Sequence, residues 1–278
     1  MGVGSIMSRL GIIAGGGALP RQIADLSRSQ GREVFIVALE GYTDLKTVEG
    51  YSHAWVRLGA VGETLAHLRA EAVSDLVLAG PVRRPSLADL RPDLTAMNLL
   101  RKFGKKAFGD DGLLSSILET LEDEGFSIVG ADTLLGSVFA APGLIGVHSP
   151  DYQARADIER GSKVLMALSD VDVGQATVVQ EGLVLGVEAI EGTDELLKRC
   201  GALQREGLGG VLVKFRKSGQ DNRVDLPTIG VKTIRAAARA GLRGVAIEAD
   251  GTMILEREDV VREADELGLF VIAIEITT

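Results

Sequence analysis

The feature that most constrains the fold is a regular alternation of short apolar runs with helix-length segments. It begins with an apolar strand at Leu10–Ala14, a loop at Gly15–Gly17, a helix at Ala18–Gln30 and a second apolar strand at Glu33–Leu39. Two neighbouring strands of a parallel sheet need a crossover connection, which is usually a helix. The segment therefore predicts a β-loop-α-β unit, and Pro20 is tolerated because it falls in the first helical turn.

The same alternation continues along the whole chain. In the first half it predicts helices at Gly62–Ala72 and Gly112–Glu124 and strands at Asp75–Ala79 and Ser127–Val129. In the second half it predicts helices at Tyr152–Ser169, Thr193–Cys200, Thr228–Ala240 and Arg257–Leu267, and strands at Ala176–Gln180, Leu183–Ala189, Val211–Phe215, Gly244–Glu248 and Phe270–Ile274. This pattern is typical of α/β proteins.

The length of 278 residues favours two domains. The best boundary is the small-residue turn at Ala140–Gly143. We therefore predict an α/β fold with two domains: an N-terminal Rossmann-like nucleotide-binding domain with a parallel sheet at residues 1–139, and a C-terminal catalytic α/β domain at residues 145–278. By the right-handed crossover rule, the ligand crevice of the first domain should lie at the carboxyl ends of its strands.

Charge and composition exclude several classes of function. The formal net charge of −9 argues against a broad nucleic-acid-binding surface, and an aromatic content of 4% argues against stacking platforms for single strands. An anionic ligand must therefore meet a local basic cluster. The three histidines show no ligand spacing, so we expect any metal to be an oxygen-ligated Mg²⁺ or Mn²⁺ and not zinc.

Cysteine usage and hydropathy indicate where the chain works. The single cysteine, Cys200, excludes an intramolecular disulfide and fits a reducing cytosol, and its helical context predicts a buried structural thiol. The longest apolar runs have the length of strands, so no transmembrane span is expected. The N-terminal apolar run is too short and too rich in glycine for a signal peptide, and Met7 offers a second start position.

Two glycine loops are expected to meet at the carboxyl edge of the first sheet. A loop of glycines before a helix lets a phosphate approach backbone N–H groups and the helix N-terminus. The dinucleotide fingerprint is incomplete, because Pro20 stands at the third glycine position, while Glu40 could still accept a ribose hydroxyl. The alternative is that the glycines serve only close helix-strand packing. The predicted substrate-binding residues here are Gly15, Gly16, Gly17, Gly80 and Arg83.

A second candidate region follows the basic tract RKFGKK and precedes a helix. Cations beside a helix N-terminus favour the binding of a diphosphate or a ribose-phosphate. Helix capping by Asp111 is the alternative. The predicted substrate-binding residues in this region are Lys105, Gly109, Asp110 and Asp111.

The densest group of charges follows the apolar run Gly210–Val213. The segment Lys214–Gly230 contains four cations, two aspartates and a glutamine amide. Such cations can hold a phosphate, and such carboxylates can hold a hard cation or orient a water. The residue before Pro227 is biased away from helix, so Asp225, two positions before the proline, is expected on an extended segment near a helix start. The predicted anion-binding residues are Lys214, Arg216, Lys217 and Arg223, and Lys217 and Gln220 are also predicted to bind the substrate.

An acidic stretch at Gly186–Asp194 ends one predicted strand and opens the next helix. Thr193 is a candidate helix cap and a candidate substrate-binding residue. Convergence of these acids with the aspartates of the charged segment would give a carboxylate cluster for Mg²⁺, whereas ordinary capping and surface acids are the alternative. The predicted metal ligands are Asp225, Glu188, Glu191 and Asp221.

Five separated motifs, in this order, resemble the LpxI-type UDP-2,3-diacylglucosamine pyrophosphatases of lipid A biosynthesis. They are GIIAGGGALP, AGPVRRP, GDDGLL, GVEAIEGTDELL and KFRKSGQDNRVDLPTIG, and together they span nearly the whole chain. The sequence lacks the histidine and asparagine motifs of the calcineurin-like enzymes that catalyse the same step. One departure is Ser218, where the family pattern is expected to carry proline; it should alter loop stiffness more than chemistry.

The resemblance implies hydrolysis of UDP-2,3-diacylglucosamine to UMP and 2,3-diacylglucosamine 1-phosphate (lipid X), with a divalent cation and with water attacking the uridine-side phosphorus. It places the family's essential acid at Asp225, and Lys214 and Arg223 are the other predicted catalytic residues. It also implies a homodimer. The expected partner is a glycolipid nucleotide substrate, and no nucleic-acid partner is expected. The expected location is cytoplasmic, with peripheral contact at the cytoplasmic face of the inner membrane.

Two other functions stay open at this point. A nicotinamide-dependent oxidoreductase would use the first β-loop-α-β unit and would bind NAD(P)H saturably. A non-catalytic sugar-nucleotide-binding protein would bind the same ligand as the hydrolase without turnover.

Overall fold

The computed structural model describes residues 8–82, 91–103, 110–136, 138–217, 223 and 226–276. Within these ranges the chain forms two compact units. The first unit runs to Gly136 and also includes Arg223, and the second contains the other described residues from Val138 onward. Each unit is built on its own β-sheet with flanking helices, which confirms the predicted α/β class.

The first unit contains a parallel five-stranded sheet. Its strands are β1 (Arg9–Ala14), β2 (Val34–Leu39), β3 (Ser52–Val56), β4 (Val73–Ala79) and β5 (Ser127–Ile128). Its helices are α1 (Leu19–Ser29), α2 (Leu45–Val48), α3 (Val61–Ala70), α4 (Leu94–Phe103), α5 (Asp110–Asp123) and α6 (Ala131–Leu135). The strand order is β3-β2-β1-β4-β5 and all pairs are parallel, which is the Rossmann arrangement. The switch in strand order lies between β1 and β4, where such sheets form a ligand crevice.

Helix α1 is fixed to the sheet edge through Tyr51. The guanidinium groups of Arg21 and Arg28 lie 5.1 and 4.3 Å from the centre of the Tyr51 ring, and the Tyr51 hydroxyl donates to Asp25 at 2.6 Å. Burial and the hydrogen bond to Asp25 raise the pKa of Tyr51 to about 12. The phenol therefore stays protonated and keeps donating across the physiological pH range. These contacts hold the helix that follows the Gly15–Gly17 loop.

The second unit contains a mixed six-stranded sheet and a two-stranded one. Its strands are β6 (Gly143–Leu144), β7 (Ala176–Gln180), β8 (Leu183–Val187), β9 (Val211–Lys214), β10 (Thr228–Ile229), β11 (Gly244–Glu248), β12 (Met253–Ile254) and β13 (Phe270–Ile274). Its helices are α7 (Tyr152–Ser169), α8 (Gly192–Gly201), α9 (Val231–Arg239) and α10 (Arg257–Glu266). The large sheet has the order β6-β13-β11-β9-β7-β8, in which β9, β11 and β13 are parallel. Strands β10 and β12 form the small sheet.

The two faces of the large sheet carry different helices. One face packs its alternate side chains, such as Leu212, against helices α8, α9 and α10. The opposite face packs Val211 and Val213 against helix α7. Gly161 lets α7 approach β9 closely, because a Cβ atom at this position would lie 2.6 Å from Val213. Strand β9 is therefore buried on both faces and ends at the charged segment.

Asp157 of α7 is fully buried and holds the hairpin between β7 and β8. Its carboxylate accepts hydrogen bonds from the backbone N–H groups of Glu181 at 3.1 Å and Gly182 at 2.7 Å. It also lies 3.7 Å from a guanidinium nitrogen of Arg243. Both turn residues have positive φ angles, 51° and 79°, so the carboxylate stabilises a turn that is itself strained at Glu181.

We expect Asp157→Ala to lower the free energy of unfolding by about 3 kcal/mol, because it leaves two turn N–H groups without their acceptor and removes a buried partner of Arg243. Asp151→Ala is the matched control: Asp151 also pairs with Arg243, at 2.9 Å, but is exposed, and its removal should cost about 1 kcal/mol through the lost N-cap bond to Ala154. Urea unfolding followed by circular dichroism compares the two. An equal loss in both variants would contradict the role assigned to Asp157.

Most predicted strands and helices are confirmed, and the hairpin turn at Glu181–Gly182 is where the sequence predicts it. The predicted start of the helix at Thr228 was wrong. Thr228 and Ile229 form β10, and the helix begins at Val231, because Gly230 has an extended backbone. Asp111 lies inside the first turn of α5 and not at its N-cap. In the described ranges, no helix is both long and apolar enough to cross a bilayer.

Candidate active site

The two glycine loops of the first unit lie directly against each other. The N–H of Gly15 donates to the carbonyl of Ala79 at 2.8 Å, and the N–H of Gly16 donates to the carbonyl of Pro81 at 2.9 Å. A Cβ atom on Gly15 would lie 2.5 Å from the carbonyl oxygen of Gly80. These two N–H groups therefore join the end of β1 to β4 and the loop after it, and nucleotide binding by the glycines stays a prediction.

Thr43 lies at the carboxyl edge of the same sheet. Its buried hydroxyl donates to the carbonyl of Ala14 at 2.5 Å and accepts from the N–H of Leu39 at 2.9 Å. It thereby ties together the carboxyl ends of β1 and β2. The carbonyl of Tyr42 comes within 3.2 Å of the position that a Cβ atom on Gly16 would take. At the switch point, where the crevice is predicted, backbone atoms of neighbouring loops therefore lie close to one another.

We expect Gly80→Ala to destabilise the first unit and to weaken uridine-nucleotide binding. Gly80 has a φ of 89°, and a Cβ atom there would lie 2.3 Å from the carbonyl oxygen of Gly16. The clash and the strain together should cost about 2–3 kcal/mol of stability. Gly31→Ala is the control, because Gly31 has a similar φ of 82° but no atom within 4 Å of its added Cβ.

The comparison of the Gly80→Ala and Gly31→Ala variants separates strain from contact. The control should lose only about 1 kcal/mol from the left-handed backbone conformation. Thermal unfolding measures the stability of each variant, and isothermal titration with UMP measures its nucleotide affinity. A Gly80→Ala variant as stable as Gly31→Ala would contradict the close contact between the loops.

In the second unit, Lys214 lies at the carboxyl end of β9 and is buried. Its ammonium group donates to the hydroxyl of Thr193 at 3.0 Å and to the carbonyl of Thr228 at 3.1 Å. The Thr193 hydroxyl donates to a carboxylate oxygen of Glu188 at 2.9 Å. The structure therefore brings three of the predicted site residues together at one edge of the sheet.

Two acids hold the described residues of the charged segment that directly follow β9. Glu248, at the end of β11, accepts the backbone N–H of Arg216 at 2.8 Å and a guanidinium N–H of the same residue at 3.3 Å. The buried ammonium of Lys217 forms an ion pair with Asp172. Arg216 and Lys217, which follow the end of β9, are therefore each held by an acid. A phosphate group bound here would meet cations whose positions are already set.

The carboxylate of Glu191 is hydrogen-bonded to the helix that follows it and to nearby backbone. One oxygen accepts from Nε and Nη2 of Arg199, at 3.1 and 2.9 Å, and the other accepts from the N–H of Ala189 at 3.1 Å. The pKa of Glu191 is lowered, first by a hydrogen bond from its own N–H and then by those from Arg199 and Ala189.

Among the described residues, no group of three or more histidine, cysteine, aspartate or glutamate side chains could hold a metal ion.

The remaining predicted site residues are placed only in part. Arg223 pairs with Glu122 of α5, with a guanidinium nitrogen 2.5 Å from the carboxylate. Asp110 and Asp111 lie in the first turn of α5, but their side chains fall outside the described part. The predicted residues that lie outside the described ranges altogether are Arg83, Lys105, Gly109, Gln220, Asp221 and Asp225.

The sequence interpretation missed two acids and one backbone donor of this site. Asp172 and Glu248 are the acids that hold Lys217 and Arg216, and the backbone of Gln175 donates to Glu188 at 3.1 Å. Glu248 could have been found, because it is an acid directly after the apolar strand GVAI. Asp172 carries no such signal, since its pairing depends on the tertiary placement of Lys217.

Cys200 is a structural residue of helix α8. Its side chain is fully buried, and burial raises the pKa of the thiol. A Cβ atom on Gly186 would lie 2.7 Å from its sulfur atom, so the thiol packs directly on β8. The prediction of a buried structural thiol is confirmed.

Comparison with known families accounts for nearly all of both units. The family described as LpxI N-terminal domain matches residues 9–138, and the family described as LpxI C-terminal domain matches residues 141–272. The chain belongs to the LpxI family. The resemblance seen in the five sequence motifs is thereby confirmed. The LpxI match includes the glycine loops of the first unit and the Lys214 cluster of the second.

A curated LpxI relative extends the match over the full length. The protein named UDP-2,3-diacylglucosamine pyrophosphatase LpxI, from Caulobacter vibrioides, is 41% identical over 276 residues, which cover 97% of this chain and 98% of that protein. Two solved structures show lower similarity. CobK precorrin-6A reductase matches with 14% identity and a TM-score of 0.35, over 98% of this chain and 89% of its own.

The second solved structure is UDP-glucose-4-epimerase (galE) from Stenotrophomonas maltophila, with 13% identity and a TM-score of 0.32. The match covers 94% of this chain and 98% of that chain. Similarity at this level carries no argument about the LpxI fold or its chemistry. Function is therefore argued from the family and from the site alone.

Proposed function

We propose that this chain is a UDP-2,3-diacylglucosamine pyrophosphatase of lipid A biosynthesis, which releases UMP and 2,3-diacylglucosamine 1-phosphate. The observation that carries the proposal is the 41% identity with the Caulobacter vibrioides protein of that name, which extends over both units. The clustered cations at the end of β9 suit a substrate whose reacting group is a pyrophosphate. The positive charges of the site and the negative charges of the proposed substrate are therefore complementary, in agreement with the family assignment.

The reaction requires electrostatic stabilisation more than covalent catalysis. A pyrophosphate diester carries negative charges that repel a nucleophile, so neighbouring cations must neutralise them as the transition state forms. In the proposed mechanism a water oxygen bonds to the uridine-side phosphorus, and the bond from that phosphorus to the bridging oxygen breaks. The bridging oxygen leaves with the lipid phosphate. Lys214, Lys217 and Arg223 neutralise the phosphate oxygens, and Asp225 accepts the proton of the attacking water.

We propose dependence on a divalent cation as a separate point. Of its predicted ligands, Glu188 and Glu191 accept hydrogen bonds from protein groups through both carboxylate oxygens. Asp221 and Asp225 lie outside the described ranges, and no catalytic step above passes through a metal. Activity measured after EDTA treatment and after addition of Mg²⁺ or Mn²⁺ tests it.

We also propose that the protein acts as a cytoplasmic homodimer with peripheral contact at the inner membrane. The support is that its proposed substrate is a lipid with two acyl chains, which must be taken from or near a bilayer. Light scattering coupled to size-exclusion chromatography measures the oligomeric state. Co-sedimentation with phospholipid vesicles measures the membrane contact.

The activity is tested by incubating the purified protein with UDP-2,3-diacylglucosamine and identifying the products by mass spectrometry. The proposal predicts UMP and 2,3-diacylglucosamine 1-phosphate in equal amounts. Binding of the substrate without any product would identify a non-catalytic sugar-nucleotide-binding protein instead. Saturable binding of NADPH without binding of uridine nucleotides would identify the oxidoreductase alternative.

A further inference from the structure

Three side chains at the carboxyl end of β9 form a continuous chain of hydrogen bonds. Lys214 Nζ donates to Thr193 Oγ1 at 3.0 Å, and the Thr193 hydroxyl donates to Glu188 Oε1 at 2.9 Å. A threonine hydroxyl has one proton, so its donation to Glu188 leaves an oxygen lone pair facing the ammonium group. The polarity of the chain is therefore fixed, with a carboxylate at one end and an ammonium group at the other.

Both ends of this chain are buried and fixed to the backbone. Lys214 and Glu188 are each 6% exposed. Lys214 Nζ also donates to the carbonyl of Thr228 at 3.1 Å, and Glu188 Oε2 accepts from the N–H of Gln175 at 3.1 Å. The Thr193 hydroxyl therefore links a buried carboxylate to a buried ammonium group of opposite charge.

The backbone around Glu188 is held equally firmly. Gly174 has a φ of 61°, and a Cβ atom there would lie 2.0 Å from the carbonyl oxygen of Glu188. The N–H of Glu188 donates to the carbonyl of Ala176 at 2.8 Å. The acid end of the chain is therefore set by the fold before any ligand binds.

We propose that Thr193 and Glu188 are positioning residues, which hold the Lys214 ammonium group in the orientation that the reaction needs. The inference rests on the proposed function, in which Lys214 neutralises phosphate oxygens. Glu188 acts through the lysine, because its Oε1 accepts from the same Thr193 hydroxyl that the ammonium group binds, and its Oε2 is held by the N–H of Gln175. Catalytic cations are effective when their orientation is set in advance.

A double-mutant cycle in the full-length protein tests the connection to Lys214. Thr193→Val removes the hydroxyl and keeps the branched shape, and we expect it to lower kcat about tenfold with KM nearly unchanged. Thr193→Ser keeps the hydroxyl and should recover most of the rate. In a Lys214→Ala background, Thr193→Val should have no further effect. An undiminished tenfold effect in that background would overturn the proposal.

Glu188→Gln separates positioning from metal binding. The amide keeps a hydrogen-bond acceptor but lacks the charge that balances the ammonium group. A positioning role predicts a lower kcat with an unchanged Mg²⁺ concentration at half-maximal rate. A higher half-saturating Mg²⁺ concentration would show that Glu188 is a cation ligand and would overturn this part of the inference.

A spectroscopic measurement makes the inference independent of turnover. Proton–nitrogen spectra of the lysine side chains report the Lys214 ammonium group, whose signal is assigned by its loss in Lys214→Arg. We expect Thr193→Val and Glu188→Gln to shift or broaden this signal, and Thr193→Ser to preserve it. An unchanged signal in Thr193→Val would overturn the positioning role. A wild-type protein that shows the expected spectra but releases no UMP would disprove the proposed function and leave the hydrogen-bonded chain confirmed.

Discussion

Asp225→Ala is expected to lower kcat for UMP release by about 10³-fold, because it removes the acid that orients the attacking water. The assignment of this role rests on the resemblance to the LpxI family, which implies that the acid of the DLP motif, Asp225, is essential. The variant should still bind the substrate, since the cations that hold the phosphates are unchanged. Its rate is measured by the formation of UMP under saturating substrate.

The control for this variant is Asp259→Ala. Asp259 lies on α10 and forms an exposed ion pair with Arg262, so its removal should change neither kcat nor the circular dichroism spectrum. Full activity in Asp225→Ala, with the fold intact, would exclude Asp225 from the mechanism. Loss of activity together with loss of the fold would be recognised by the same spectrum.

Lys214→Ala is expected to give the second-largest effect, a decrease in kcat of about 10² to 10³-fold. Lys214 is buried at the end of β9, and two of its ammonium donors are held by Thr193 and by the carbonyl of Thr228. A cation fixed in this way costs little reorganisation when charge develops on the phosphate oxygens. Removing it should therefore lower kcat more than it raises KM.

Lys198→Ala is the matched control for Lys214→Ala. Lys198 lies on the exposed surface of α8 and pairs only loosely with Glu195, at 3.3 Å. An exposed pair of this kind contributes little, so kcat and KM should equal those of the wild type. If the two lysine variants had the same kinetic constants, Lys214 would have no part in the reaction.

The parts of the fold that could be predicted from the sequence are those with strong local patterns. Strands β2 and β13 are uninterrupted apolar runs, and α7 has caps and a long helical period, so each was predicted within a residue of its observed bounds. Strand β3 was missed because only Val56 at its end is buried, so the pattern of an apolar strand is absent. Strands β10 and β12 have two residues each, and they exist through pairing with each other.

The candidate site could be predicted only as a set of residue types. Lys214 and Glu188 were recognised because they are charged residues near the ends of predicted apolar strands. Their connection through Thr193 depends on three elements that meet in space, and it cannot be predicted from the spacing of these residues in the sequence. The same holds for Gly15 and Gly16, whose N–H groups face the carbonyls of the β4 loop. Glu191 was grouped with Glu188 by proximity in sequence, but it pairs with Arg199.

The central claim is that this chain hydrolyses the pyrophosphate of UDP-2,3-diacylglucosamine by water attack on the uridine-side phosphorus. The most direct measurement is a single-turnover reaction in oxygen-18 water, followed by mass spectrometry of both products. The account predicts one oxygen-18 atom in UMP and none in 2,3-diacylglucosamine 1-phosphate. Oxygen-18 in the lipid phosphate, or the absence of UMP, would contradict it.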